Sequence, residues 1–262
     1  MNFFVYYFFA IVNEEVKMNP KKITEYEREF FDSLCRRTNG KLDLEKECEI
    51  EKGFRIYSIR PRYDSYYFPK RVMKRGICLH FTMGYIRPDI EVLTRNGVHI
   101  SVPYIVDRAG RIYELFDDRF YSYHLGKDAI GGNSIMSPQT IGIEISNYGC
   151  LKLAKGRLEN VYGSAYCGLN ETEYYEQKEF RDKKYFATMS PEQISATAVL
   201  LKYLCRKHDI PLEFKKDDAL FESGDAARNF RGIFTHSNVR KDKFDWPMGK
   251  SMRSVIEECL CG

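Results

Sequence analysis

The sequence runs to 262 residues with a formal net charge of +4, and 44% of its residues are hydrophobic. That is enough chain for one sizeable core with extensions, or for two small domains. The mild basic excess suits an anionic partner but selects none, because no Arg/Lys tract stands out.

The eight cysteines, at 35, 48, 78, 150, 167, 205, 259 and 261, form no CxxC pair. A four-cysteine zinc ribbon is therefore excluded, and most are read as reduced thiols. Phe3 to Val12 is an apolar, aromatic run about as long as a signal-peptide core. No Lys or Arg precedes it, Glu14 and Glu15 follow it, and it is too short to span a bilayer as a helix. Residues 1–17 are set apart as an apolar leader or an upstream extension, with Met18 as an alternative start.

Residues 18–75 are read as an N-terminal extension. Thr24 with Glu27 reads as a capping box, and Tyr26, Phe30 and Leu34 recur at helical spacing up to Asn39-Gly40. The charged stretch Lys41 to Lys52 reads as a second helix ended by Gly53. Residues 54–75, rich in Tyr, Arg and Pro, read as an extended arm. At Gly76 the character changes: Ile77, Leu79 and Phe81 alternate with Cys78, His80 and Thr82, the pattern of a buried strand. Val98 to Val106 and Arg111 to Phe116 read as a hairpin turning on Asp107-Arg-Ala-Gly110. Pro103 interrupts the hydrogen bonding of its first arm.

Thr140 to Asn147 is a further strand, with Ile141, Ile143 and Ile145 on one face and Gly142, Glu144 and Ser146 on the other. Lysine, glutamate and tyrosine dominate 148–189, read as an inserted, mostly exposed subregion. Ser190-Pro-Glu-Gln193 is a strong helix start, with Ile194, Ala198, Leu201 and Cys205 on the buried face and a stop before Pro211. A last short helix is expected over Ser251 to Cys259. The order of elements predicts an α/β protein with a mixed central sheet flanked by helices over 76–262, carrying an N-terminal extension.

Chemistry concentrates near the end. His236, Lys243 and Asp245 share one short segment, and Trp246-Pro247 and Gly249 place the carboxylate in a turn. A histidine and a carboxylate nine positions apart reach one metal ion if the loop folds back. A catalytic zinc site wants three protein ligands and an open position, and His80 is the evident third. Taken singly, each side chain has an ordinary structural explanation: a bonded core histidine, a turn carboxylate, a solvated lysine.

The ordered set is more specific. Gly76-Ile-Cys-Leu-His80-Phe-Thr-Met-Gly84, then Val98 to Glu114, Tyr123-His124-Leu-Gly126, Thr140-Ile-Gly-Ile-Glu144 and the His236 to Gly249 segment resemble the zinc-dependent N-acetylmuramoyl-L-alanine amidases (amidase type 2). That family includes phage lysozyme-type amidases and peptidoglycan recognition proteins. The resemblance implies one zinc ion held by His80, His236 and Asp245, with Glu144 and Lys243 catalytic and His124 either touching substrate or bracing its loop. It implies hydrolysis of the amide between N-acetylmuramic acid and L-alanine in peptidoglycan. The protein would act as a monomer at the bacterial cell wall, reached by secretion or on lysis. Phe81, Pro103 and Ser137 depart from the family pattern, and they bear on substrate fit more than on metal binding.

Two other readings stand beside it. A recognition protein would hold muropeptide without cutting it. A nucleic-acid binder would use the arm at 54–75, but its basic residues are scattered and match no motif, so no nucleic-acid partner is expected. No stable membrane span is expected either.

Overall fold

The computed structural model describes residues 19–245 apart from 39, 62 and 216–218. The apolar run at 3–12, the alternative start at Met18 and the helix expected over Ser251 to Cys259 lie outside the described residues. Among the described residues no helix is long and apolar enough to cross a membrane.

The first helix, α1 (Pro20–Cys35), starts a turn earlier than the sequence suggested. Asn19 is its cap and accepts from the Lys22 amide at 3.0 Å. Thr24 is already inside, donating to the Pro20 carbonyl. Glu27 is thereby released from any capping role. It is fully buried and meets the Arg108 guanidinium at 2.7 Å. Removing one partner of such a buried pair typically costs about 3–5 kcal/mol, because the other charge stays stranded.

The expected helix over Lys41 to Lys52 is instead a strand, β1 (Leu42–Glu51), paired antiparallel with β2 (Phe54–Pro61). The Lys52-Gly53 turn joins them, and Gly53, at φ +85°, supplies the left-handed conformation. Glu and Lys favour helices only weakly, and strand pairing overrides that preference here. Leu42 reaches the core, while the outward charges pair across the strands, as in Arg55–Glu47 and Arg60–Glu45. A charged edge of this kind also discourages pairing with other chains.

Then follow β3 (Gly76–Phe81), α2 (Ile86–Leu93), β4 (Tyr104–Val106), β5 (Ile112–Glu114), α3 (Asn133–Gln139) and β6 (Thr140–Ile145). The first arm of the expected hairpin is shorter than its alternation suggested, because the chain is a strand only after Pro103. The insertion is not a loose excursion. It folds as β7 (Cys150–Ala154), β8 (Arg157–Glu159), β9 (Ala165–Gly168), β10 (Tyr175–Phe180) and β11 (Lys183–Ala187), a second sheet in the order β10-β11-β7-β8-β9. Tyr148, Leu151, Leu158, Tyr166 and Cys167 close over Ile23 of α1 in a small core of their own. The last elements among the described residues are α4 (Pro191–His208), α5 (Gly224–Asn229), β12 (Gly232–Thr235) and α6 (His236–Val239). The Ser190–Gln193 capping box of α4 is present as read from the sequence.

The main sheet has seven strands in the order β1-β2-β5-β4-β6-β3-β12, mixed in direction and flanked by helices, as expected. Ile77, Leu79, Phe81, Ile141, Ile143 and Ile145 pack on one face against Ala198, Leu201 and Leu204 of α4. α1 and α2 cover the β1-β2-β5-β4 half of the other face through Phe30, Leu34, Ile86 and Ile90. Beyond α2, Met136, Ala227, Phe234 and Val239 cover the β3-β12 half.

Between these two groups lies buried Asp89, which accepts from Thr82 Oγ1 at 2.7 Å and Ser146 Oγ at 2.8 Å. Burial pushes its carboxyl up to about 7, against those two hydrogen bonds and Arg108, and with help from Glu27. The folded state therefore binds this proton more tightly than the unfolded chain. Stability should fall as pH rises from the ordinary value of 3.8 to about 7. Asp89→Asn is expected to remove its share of that fall, on the order of a few kcal/mol. Urea unfolding at the two ends of this window checks it; the same loss in both proteins rejects it. Asp107, also pushed up to about 7 by burial and Glu27, keeps some slope in the variant.

Candidate metal centre

Three neighbouring parallel strands set the site. In register, His80 of β3 lies opposite Glu144 of β6, and Thr235 of β12 lies opposite Leu79. His236, the next residue after Thr235, therefore comes level with His80. Glu144, His80 and His236 form a row at the carboxyl ends of β6, β3 and β12, where parallel sheets present ligands. The chain then passes through α6 and returns Asp245 to the same point.

The three expected ligands converge. His80 Nδ1 lies 2.9 Å from His236 Nδ1, His236 Nδ1 lies 3.0 Å from Asp245 Oδ2, and His80 Nδ1 lies 3.9 Å from the same oxygen. Donors at about 2.0–2.1 Å around a tetrahedral zinc stand roughly 3.3 Å apart. All three residues are buried.

The outer hydrogen bonds decide where the ring protons sit. Thr140 Oγ1 donates to the Met136 carbonyl at 3.0 Å, so it accepts from His124 Nε2 at 2.9 Å. Neutral His124 then has a bare Nδ1, which accepts from His80 Nε2 at 3.0 Å. That leaves His80 Nδ1 with a lone pair. His236 Nε2 faces the Leu125 carbonyl at 3.1 Å and must donate, so a neutral His236 ring has its lone pair on Nδ1 too. These assignments follow from the partners, as hydrogen positions generally do. With both rings neutral, two bare nitrogens and one carboxylate oxygen meet here. This is the donor set of a divalent cation, and the residues fit zinc.

Burial holds His80 well below the usual imidazole range, with His236, His124 and Lys243 adding to it. Burial takes His124 down to about 3. Burial raises Asp245, but His236 and Lys243 outweigh it and hold the carboxyl below its ordinary value. Cys78 Sγ lies within reach of His80 and His124 and could complete a second triad. Burial pushes its thiol well above the usual range, with Asp245 and Glu144 adding to the rise, so it stays a poor ligand beside Asp245.

Glu144 is the anomaly. Its Oε2 is buried and has no hydrogen-bond partner. Burial drives the carboxyl well above its ordinary range, and Asp245 and Asp89 push the same way, while Lys243 opposes them. Lys243 is half-buried, and its charge bears on His80, Glu144 and Asp245. His124 sits behind His80 rather than apart from it. Gly142 makes the room: a Cβ there would stand 2.5 Å from Val102 Cγ1 and 3.2 Å from the His124 ring. His99 stacks on Phe68 and His208 lies 3.1 Å from Asp118, both structural roles.

The sequence reading missed the supporting residues. Asn133 and Ser137 lie on α3, a helix the sequence did not predict, and Thr140 opens β6. Ser137 Oγ accepts the His124 amide at 3.2 Å and donates to Asn133 Oδ1, which also holds the Leu125 amide. The four-residue spacing from Met136 to Thr140 is compatible with a helical back-bond, but nothing in the sequence marks that hydroxyl as a partner of His124.

No curated protein matches the chain. Among solved structures it is similar to AmiD of E. coli, an N-acetylmuramyl-L-alanine amidase solved with an anhydro-N-acetylmuramic acid peptide. The two share 17% identity over 80% of this chain and 65% of that one, with a TM-score of 0.45. It is similar to AmiA of Staphylococcus aureus, a hydrolase solved with its ligand (15% identity, 88% and 90% covered, TM-score 0.45). It is also similar to AmpDh3 of Pseudomonas aeruginosa, solved with anhydromuramic pentapeptide (16% identity, 73% and 61% covered, TM-score 0.44). The chain spans less than two thirds of the length of the E. coli and P. aeruginosa proteins. A family model described as N-acetylmuramoyl-L-alanine amidase matches residues 70–246, the stretch that contains the whole row from His80 to Asp245, and the chain belongs to that family.

Proposed function

We propose that the protein is a zinc-dependent hydrolase of the amide between N-acetylmuramic acid and L-alanine in peptidoglycan. The observation that carries this reading is the meeting of two ring nitrogens and a carboxylate oxygen within 3.9 Å of one another, beside a buried carboxylate oxygen that has no partner. His80, His236 and Asp245 would hold the zinc ion. When bound, that ion supplies Lewis acidity and lowers the pKa of a water to about 7.

The chain's own residues supply the rest. Glu144 would accept the proton of the attacking water and pass it to the leaving amine. Its lack of a fixed partner suits that role, because no hydrogen bond must break first. Lys243 would stabilise the charge developing on the carbonyl oxygen, an interaction worth roughly 3 kcal/mol in comparable sites. His124 and Thr140 would act through His80, holding its ring and its tautomer.

That last role is testable. Thr140→Val removes the acceptor of the His124 ring proton but keeps the shape. Zinc affinity is expected to fall by about 10–100-fold, the usual effect of a lost outer partner. Competition with a chelator measures it, and an affinity equal to wild type would remove the relay from the account. For the reaction itself, the zinc-loaded protein is incubated with purified cell wall and the products are weighed by mass spectrometry. Free stem peptides beginning with L-alanine are expected. Intact wall with muropeptide still bound would instead mark a recognition protein.

A further inference from the structure

The β10–β11 hairpin belongs to the insertion at 148–189, outside the sequence resemblance. Phe180 pairs with Lys183, so the turn consists of Arg181 and Asp182 alone, at φ 47° and 67°. Two-residue hairpin turns of this hand are normally made by Asn-Gly or Asp-Gly, because other side chains resist the left-handed backbone. A non-glycine residue held there needs compensation from its surroundings.

The compensation is at the candidate metal centre. Arg181 Nη1 donates to the Arg240 carbonyl at 2.6 Å and to the Lys243 carbonyl, and its Nη2 donates to the Ser237 carbonyl at 2.7 Å. Lys183 Nζ lies 4.9 Å from the centroid of the Phe244 ring. All of these partners fall on the loop that runs from His236 to Asp245. One planar fork gathers three carbonyls of a segment with only one turn of helix of its own, α6. A guanidinium suits this task, since its donors lie in a rigid plane and it is always charged.

We infer that Arg181 is a positioning residue for the metal centre: through the carbonyls of Ser237, Arg240 and Lys243 it sets the distance between His236 and Asp245. The inference rests on the reading of His80, His236 and Asp245 as cation ligands. It makes the insertion a part of the site's construction rather than a neighbour of it. Asp245 follows no regular element, so its place beside His236 depends on how the intervening loop is tied down. Lys243 is carried by the same loop and would be placed by the same fork.

The test uses the full chain, with Zn2+ and Co2+ as probes. Arg181→Met keeps the aliphatic stem and removes the fork. Release of Zn2+ to a chelator is expected to be at least about tenfold faster, in line with the loss of an outer partner. The visible absorption bands of bound Co2+ should shift, and amide hydrogen exchange should quicken within 237–245 while the rest of the sheet is unchanged. Unaltered release, bands and exchange overturn the inference. Arg181→Lys retains charge and length, but one ammonium cannot span three carbonyls, so its release rate should fall between the two. If the methionine variant folds poorly by circular dichroism, the lysine variant decides, and release at the wild-type rate overturns the inference. If the wild-type protein binds no Zn2+, the ligand reading has failed by itself. Exchange at 237–245 then judges the fork alone, and no quickening overturns it.

Discussion

Glu144→Gln is expected to give a protein that keeps its zinc, unfolds at a higher temperature when zinc-free and has lost nearly all turnover. The three effects share one cause. Glu144 carries a buried oxygen with no partner, and burial holds its carboxyl well above the ordinary range. A group raised in this way binds its proton more tightly in the folded state, so it costs stability as pH rises above the unfolded value. Glutamine has the same shape and never ionises, so that cost disappears. The zinc ligands are untouched, since Glu144 lies beside His80 in register and is not a member of the His80, His236 and Asp245 triad. Turnover should fall by roughly 100- to 10,000-fold, the usual contribution of a positioned proton acceptor. Thermal unfolding of the zinc-free protein at neutral pH, metal analysis and a wall-digestion assay read the three outcomes. Full turnover in this variant would falsify the role assigned to Glu144. A lowered melting temperature would show that its buried oxygen has a partner in solution. The sign of the stability change separates a functional carboxylate from a structural one, because a structural carboxylate would be missed when replaced.

Asp245→Ala should have the opposite profile. The variant is expected to lose zinc affinity by more than about 100-fold, beyond the effect of losing an outer partner. Asp245 supplies the only negative charge of the triad, 3.0 Å and 3.9 Å from the two ring nitrogens. In the zinc-free protein some stability should also be lost, because His236 and Lys243 hold this carboxyl below its ordinary value and so favour its charged form in the fold. The zinc-dependent part of the stability should vanish. A ligand at 100 times its dissociation constant stabilises by about 2.7 kcal/mol, and a 100-fold weaker site leaves about 0.4 kcal/mol at the same concentration. Melting curves with and without zinc measure the difference directly. A zinc-induced rise as large as in wild type would mean that the metal, if bound, sits elsewhere.

The elements that carry the chemistry were legible because their patterns are local. Alternation around His80 and Glu144 marks two buried strands, and β3 and β6 are found there. The capping box at Ser190 marks the start of α4, and it is formed as read. Where the reading failed, long-range pairing had overruled a local preference. Lys41 to Lys52 has a helical composition, yet it forms the edge strand of the main sheet because β2 offers it a partner. Thr24 looks like a cap, yet Asn19 and Pro20 start α1 a turn earlier and leave Glu27 to Arg108. The insertion is mostly exposed, as its composition says, but composition did not show that its strands bury tyrosines against α1 and against one another.

The residue order settled which side chains could take part: a histidine within a strand, a glutamate on the matching face of another, and a histidine, lysine and aspartate along one loop. Each of these needs only the period of its own element. The fold decided what no local pattern encodes. Parallel register brought Glu144, His80 and His236 into one row, and the Thr140–His124 and Leu125 contacts assigned the ring protons. The insertion's hairpin delivered Arg181 to the carbonyls of the ligand loop. Contacts between residues up to 156 positions apart depend on how the chain closes on itself, and closure depends on the balance of all its contacts at once.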